Sequence, residues 1–308
     1  MNQPVLRIDG LRKVFPPQKE VLAGVNLAVE PGTVLGLLGQ NGSGKSTLIK
    51  CALGLFRPTS GTATLLGDDS WNLSAEVKSR LGYVPQEVVS YPWMRVRQAI
   101  AYTAAFYPTW NLPLVNALCL RWRLPMEDRV GPLSVGQLQT LGIILALGHE
   151  PEVLILDEPV ASLDPSARRE FLRTLLEIVD DADRTVIFST HITSDLERVA
   201  TRIALLKDGR IAFHGELDEL KDRVKRLRIV APTDFPNNFT VPGALRCELD
   251  GPLATVTLDN FHEQLADDLR TTWHADVAVE DLNLEEIFVA LHENQSPTTH
   301  TRRLAATR

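Results

Sequence analysis

The first 38 residues alternate apolar and polar positions, and Gly and Pro residues interrupt the alternation. A period of two is typical of half-buried β-strands. Toward residue 38 the alternation gives way to an apolar run, Val34-Leu35-Gly36-Leu37-Leu38. We predict strands at residues 5–8, 25–29, 33–38, 61–66 and 81–84.

From residue 87 to residue 130 the pattern becomes helical, and we predict a helical subdomain at about 87–150. This segment is rich in aromatic residues, which supply buried area in a core and are also enriched at interfaces. We expect the core to hold most of them and the others to form a docking surface. Six of the nine Tyr and Trp residues lie here: Tyr91, Trp93, Tyr102, Tyr107, Trp110 and Trp122.

Beyond residue 132, short β-rich runs alternate with helical stretches, which favours a parallel sheet with helices on its faces. The predicted strands are 153–156 and 185–189, and the helix between them is 165–179. A charged helix at 216–224 leads into a smaller α+β unit. We predict a first domain at 1–220, a second at 221–293 and a disordered polar tail at 294–308.

The composition limits the possible functions. A chain of 308 residues is long enough for about two domains, and its net charge of −7 argues against nucleic acid as a partner. The three cysteines show no metal-ligand spacing, and their sparse, odd number is typical of a reducing compartment. We expect no signal peptide, because residues 1–4 lack the charged and apolar regions of one, and no apolar run approaches the roughly 20 residues needed to span a bilayer. We therefore expect any membrane role to depend on a partner.

The strand at 33–38 is followed by a phosphate-binding loop, residues 39–46. Its sequence, Gly39-Gln40-Asn41-Gly42-Ser43-Gly44-Lys45-Ser46, fits the pattern G-x-x-x-x-G-K-[ST] between a strand and a helix. The glycines let backbone N–H groups surround a polyphosphate, and the helix N-terminus adds partial positive charge. Lys45 can reach the β- and γ-phosphates, and the Ser46 hydroxyl can bind Mg²⁺.

A second motif is the apolar strand 153–156, which ends in Asp157 and Glu158. Ligands collect at the carboxyl ends of strands in parallel sheets, so the two acids should lie beside the phosphate loop. There Asp157 would bind Mg²⁺ and Glu158 would polarise the attacking water. Taken alone, the pair could equally be solvated acids in a turn.

A third motif is the segment Leu133-Ser134-Val135-Gly136-Gln137, which precedes an apolar helix and is called the signature segment below. Ser134 and Gly136 stand at the helix start, where free N–H groups form a second anion site. An ordinary serine N-cap would look the same in isolation.

These motifs together resemble those of ABC ATPases over residues 5–215. Four further positions fit the family: Gln86 resembles the Q-loop glutamine, and Asp164, in Ser162-Leu163-Asp164, resembles the D-loop aspartate. His191 resembles the switch histidine, and Phe15 resembles the aromatic that stacks on adenine. The resemblance implies an α/β P-loop fold of ABC type: a mixed sheet, an N-terminal antiparallel β-subdomain and an inserted helical subdomain, plus the α+β C-terminal domain.

The resemblance implies ATP and Mg²⁺ as ligands and ATP hydrolysis as the activity. Glu158, His191 and Gln86 would be catalytic, and Ser46, Gln86 and Asp157 would hold the metal. The residues implied for nucleotide binding are Phe15, Gly39, Asn41, Gly42, Ser43, Gly44, Lys45, Ser46, Thr47, Ser134, Gly136, Gln137 and Asp164.

The resemblance also implies partners and a location. Because each motif occurs once, two copies, or this chain and a related subunit, would pair head to tail. A membrane permease would dock near residues 87–110 and hold the chain on the inner face of the plasma membrane. Residues 106–110, 189–199 and 284–288 look like those of antibiotic-resistance exporter ATPases with separate membrane subunits.

Departures and alternatives remain. Val135 replaces the usual glycine of the signature segment, and Thr140 and Leu145 stand where many members have arginine. We expect altered packing or surface charge there, with chemistry retained. The main alternative is a soluble ABC ATPase acting on ribosomes or nucleic acid, which the negative charge disfavours. A kinase would leave Ser134 and His191 unexplained.

Overall fold

The computed structural model of the protein describes residues 3–161, 163–180, 184–292 and 300–301. Its contacts divide the chain into two compact units, with the boundary between His214 and Gly215. Within the described ranges, each helix is too short or too polar to cross a lipid bilayer. Apart from residues 300–301, the predicted tail at 294–308 lies outside the described residues, as does Ser162.

The first unit contains seven α-helices and ten strands among its described residues. In chain order they are β1 Leu6–Phe15, β2 Lys19–Val29, β3 Val34–Leu38, α1 Lys45–Ala52, β4 Ser60–Leu65, β5 Asp68–Asp69, α2 Ala75–Ser79, β6 Leu81–Val84, α3 Val96–Ala104, α4 Leu112–Arg121, α5 Val135–Leu147, β7 Val153–Asp157, α6 Pro165–Asp180, β8 Thr185–Thr190, α7 Thr193–Val199, β9 Arg202–Lys207 and β10 Arg210–Glu216, which ends just past the boundary.

These strands form two sheets. An antiparallel sheet has the order β2-β1-β4-β5, and a six-stranded sheet has the order β10-β9-β3-β8-β7-β6. In the second sheet β3 is parallel to β8 and β9, and β7 is parallel to β8 and β6. A core of aliphatic side chains, among them Leu22, Leu48 and Ile155, joins the sheets and α1. The predicted mixed α/β architecture is confirmed.

The parallel register determines where the predicted site lies. Every residue of β3, β7 and β8 is buried, as expected for central strands covered on both faces. Leu38 is paired with Thr190, and Asp157 is paired with Ser189. The carboxyl ends of the three strands therefore meet at one edge of the sheet, directly before the phosphate loop.

The helical segment exposes more aromatic surface than predicted. Tyr91, Trp93 and Tyr102 are exposed, and the other three aromatics, Tyr107, Trp110 and Trp122, are only partly buried. The expectation that the core would hold most of them is therefore wrong. The core of this segment is instead aliphatic, with residues such as Val96, Ile100, Val115 and Leu141.

The second unit is a five-stranded sheet with helices. Its elements are α8 Leu217–Arg223, β11 Lys225–Val230, β12 Ala244–Asp250, β13 Leu253–Leu258, α9 Glu263–Trp273, β14 Asp276–Asp281, α10 Leu284–His292 and β15 His300–Thr301. The sheet has the order β14-β11-β13-β12-β15. One of its faces packs on α9 around Phe235, Phe239 and Trp273.

Candidate active site

The phosphate loop is a tight turn between β3 and α1. Gly44 precedes α1 with φ 107°, a conformation that side chains with a Cβ avoid. A Cβ on Gly39 would lie 2.5 Å from Ser43 Oγ and 2.6 Å from the Leu206 carbonyl oxygen. Both glycines are therefore required by geometry, and the first turn of α1 presents Ser46 and Thr47 at the end of the loop.

Lys45 is held in place by polar groups on several sides. Its side chain is buried, and its ammonium donates hydrogen bonds to the Gly39 and Gln40 carbonyls at 2.8 and 3.3 Å. It also lies 3.1 Å from Oε1 of Glu158, whose side chain is equally buried. A buried cation with this set of acceptors is fixed in position and has its charge balanced by one carboxylate.

Asp157 is linked by hydrogen bonds to α1 and β8. Its Oδ1 accepts hydrogen bonds from the Ser46 hydroxyl at 3.0 Å and from the Ser189 hydroxyl at 2.7 Å. Its Oδ2 is buried and has no hydrogen-bond partner among the described residues. Tyr83 lies nearby on β6, where burial and then the charge of Asp157 raise the pKa of its phenol to about 12.

Glu158 and His191 face each other across the ends of β7 and β8. His191 Nδ1 lies 2.9 Å from Glu158 Oε2, and because a carboxylate only accepts, Nδ1 carries the hydrogen. Glu158 adopts φ 50°, an uncommon left-handed conformation. Its N–H donates to the carbonyl and the hydroxyl of Ser189, which hold the turn. Lys45, Glu158 and His191 therefore contact one another in series.

Ser189 is a site residue that sequence reasoning missed. Its hydroxyl joins Asp157 to the backbone of Glu158, yet in the sequence it is only the end of an apolar strand. A polar residue at the end of a fully buried strand was the available signal, because a buried hydroxyl needs partners.

Four other predicted positions do not join this group. Gln86 is exposed two residues after β6, at the same edge of the sheet. Phe15 is half-buried. Its ring packs edge-on against Phe56, and the Lys13 ammonium lies 4.8 Å from the centroid of the Phe15 ring.

Asn41 is exposed in the phosphate loop. Asp164 is exposed at the start of α6, and hydrogen bonds from the Ser166 and Ala167 amides lower the pKa of its carboxyl.

The signature segment is a capped helix start. Ser134 Oγ accepts a hydrogen bond from the Gln137 amide at 3.2 Å, and the Gln137 side chain accepts one from the Ser134 amide at 3.0 Å. This is a capping box. Ser134 and Gln137 are exposed, Gly136 is partly buried, and none of them makes a described contact with the Lys45–Glu158–His191 group.

Comparison with known proteins agrees with this geometry. The family model described as ABC transporter matches residues 22–161, and a model of an AAA domain (putative AbiEii toxin, type IV TA system) matches residues 130–194. The bacitracin transport ATP-binding protein BcrA of Bacillus licheniformis is 30% identical, over 72% of this chain and 73% of BcrA. The phosphonates import ATP-binding protein PhnC of Alcaligenes faecalis is 32% identical, over 78% of this chain and 95% of PhnC.

A solved structure of the ATP-binding subunit of an ABC transporter superposes with a TM-score of 0.65 at 27% identity. The alignment covers 71% of this chain and 92% of that structure. The chain belongs to the family of ABC transporter ATP-binding proteins. It is therefore an ATP-binding and ATP-hydrolysing subunit, and such subunits dimerise and work with membrane subunits.

Proposed function

We propose that this chain pairs head to tail with a second copy or a related subunit, so that two ATP molecules lie between them. Closure on ATP and release after hydrolysis would then drive export through a separate membrane subunit. The contact series Lys45–Glu158–His191 beside the phosphate loop is the observation that most directly supports the hydrolysis step of this cycle. Export rests on the resemblance of residues 106–110, 189–199 and 284–288 to exporter ATPases.

The need for a second copy follows from the exposed signature segment. The first turn of α5, after the Ser134 cap, presents helix N-terminal amides such as that of Gly136, and these favour an anion. Each chain has one phosphate loop and one signature segment. A two-fold pair lets each segment serve the loop of the other copy, and both sites then close together.

Within each site the residues have separable roles. Lys45 and the amides of residues 39–44 bind the β- and γ-phosphates. Glu158 accepts a proton from the attacking water as the oxygen–phosphorus bond forms and ADP leaves. His191 orients Glu158 and contacts the γ-phosphate, and Asp164 contacts the second copy. Phe15 stacks on adenine.

The residues at the strand ends fit a Mg²⁺ ion. The orphaned, buried Oδ2 of Asp157 is a hard oxygen ligand beside the Ser46 hydroxyl. Mg²⁺ in such sites takes one or two carboxylates together with phosphate oxygens. Asp157, Ser46 and Gln86 would hold the ion, which neutralises phosphate charge when bound.

We place the permease contact on an aromatic patch, defined as Tyr91, Trp93, Tyr102 and Phe106. Their rings contact in sequence with centroids 5.1–5.3 Å apart. Trp93 and Phe106 keep 65% and 68% of their surface exposed, a large apolar area for an unpartnered face. Docking there would hold the chain at the inner face of the plasma membrane.

Replacing both Trp93 and Phe106 with Ala should weaken binding to the coexpressed membrane subunit more than about 30-fold. At an interface centre the two aromatic residues together contribute at least about 2 kcal/mol of binding free energy, which is about 30-fold in affinity. Binding measured in lipid nanodiscs checks this, with Leu120→Ala as control because Leu120 is 82% exposed on α4 outside the patch. Unchanged affinity in the double variant, with normal ATPase activity, would place the docking surface elsewhere.

The shared-site arrangement predicts that ATPase activity per molecule depends on protein concentration. Below the dimer dissociation constant, a tenfold dilution should lower the turnover per chain about tenfold. Phosphate release measured over a dilution series of the full chain tests this. A constant turnover per chain in a preparation shown to be monomeric at every concentration would rule out the pair.

A further inference from the structure

A buried carboxylate lies close to the active site but outside its contact series. Asp195, in the first turn of α7, has only 5% of its side chain exposed. The nearest described cation is Arg168 of α6, whose Nε lies 3.7 Å from Asp195 Oδ2. Neither of these two buried atoms has a hydrogen-bond partner in the described part of the chain. They form a loose ion pair.

Stability alone does not require charged side chains at these two positions. Burial raises the pKa of Asp195, while the charges of Arg168, Arg198 and His191 act in the opposite direction. An exposed acid would serve the first turn of a helix equally well. Buried ion pairs can often be replaced by neutral groups without loss of stability. The elements that the pair connects indicate its role.

The pair joins the starts of two helices that follow functional loops. Arg168 lies one turn after Asp164, and its amide donates to the Asp164 carbonyl at 2.9 Å. Asp195 lies in α7, about one turn after His191, which stands just before that helix. The loop between β8 and α7 is held by the Ile192 amide, which donates to Thr190 Oγ1 at 3.0 Å.

We propose that the Arg168–Asp195 pair positions His191 relative to the loop of Asp164, so that contact of a second copy at Asp164 is transmitted to the hydrolytic site. Both are positioning residues, since neither contacts Lys45, Glu158 or His191 by a described hydrogen bond. The inference rests on the proposed roles of His191 and Asp164. It adds a physical link between them that the motifs do not contain.

The test compares turnover with stability in the full chain. Asp195→Asn and Arg168→Gln should each lower the kcat of ATP hydrolysis roughly tenfold, the scale of a small misplacement. KM for ATP should change less than about twofold, because the phosphate loop is separate. Arg168→Gln should also melt at a lower temperature, since it leaves the buried Asp195 carboxylate unpaired, whereas Asp195→Asn should lower the melting temperature less because the Arg168 side chain is partly exposed.

The double variant Asp195→Asn/Arg168→Gln separates the two effects. Its melting temperature should return toward that of the unmodified chain because no buried charge remains, yet kcat should stay about tenfold low. Arg168→Lys, which keeps the charge, should recover part of kcat. If kcat returns together with the melting temperature in the double variant, the pair is only structural and the proposal is wrong.

Two controls complete the design. The exposed pair Arg80–Glu152, also between two elements, should tolerate the same double neutralisation with unchanged kcat. His191→Ala reports the role of His191 separately. Loss of turnover in His191→Ala with normal turnover in Asp195→Asn overturns the positioning pair alone. Normal turnover in His191→Ala overturns the proposed function of the histidine.

Discussion

Glu158→Gln is expected to reduce ATP hydrolysis by about 10²–10⁴-fold, the usual contribution of a positioned general base, while ATP binding is retained. The amide has the shape of the carboxylate but cannot accept the proton of the attacking water. Lys45 keeps its bonds to the Gly39 and Gln40 carbonyls, so the phosphate-binding groups stay in place. Phosphate release and equilibrium binding of a fluorescent ATP analogue measure the two effects.

Glu152 provides a matched control for this substitution. It directly precedes β7, the strand that ends at Asp157, and its carboxylate is exposed and paired with Arg80. Glu152→Gln should leave turnover within about twofold of the unmodified chain, as expected for an exposed pair. Near-normal turnover in Glu158→Gln would remove that residue from the role of base.

Ser134→Arg is expected to lower hydrolysis by about 10²-fold or more while the monomer still binds ATP. The substitution places a long cation on the exposed helix start that, in our proposal, must approach the phosphates of the other copy. It also removes the hydrogen bond from the Gln137 amide. Ser134→Ala removes only that cap, at a cost of about 1 kcal/mol, and so measures the structural part.

Mixing the two variants tests the shared site most directly. A mixed pair of Ser134→Arg and Glu158→Gln contains one complete site, because the intact Glu158 and the intact Ser134 come from different copies. With random pairing, half of the dimers are mixed and half of their sites are complete, so the mixture should recover roughly a quarter of normal activity. A mixture no more active than its components would contradict the head-to-tail arrangement.

The central strands of the fold are predictable from the sequence because local hydrophobic patterns determine them. Strands β3, β7 and β8 were predicted by their apolar runs, and the structure buries every residue of them. The hairpin of β9 and β10 was missed although Asp208-Gly209, with both φ values positive, carries a recognisable turn signal.

Other elements depended on their neighbours. Strand β12 fully buries only Cys247 and Leu249, which lie between charged residues, so its alternation is too short to recognise in the sequence. Pairing with β13 determines that this segment is a strand. The aromatics of residues 87–130 suit a core and an interface equally well. Only the packing of α3–α5, where aliphatic residues fill the interior, shows that half of them face outward.

The sequence by itself determined the chemical groups and their order along the chain: one phosphate loop, one acid pair after a buried strand, and one histidine after another. The tertiary structure alone decided which of these groups meet. Ser46 and Asp157 are 111 residues apart, and parallel strand register brings their oxygens to 3.0 Å. The hydrophobic periodicity of an element indicates only which of its residues are buried. Strand register, and side-chain contacts such as Ser189 with Asp157 or Arg168 with Asp195, depend on how distant elements pack against one another.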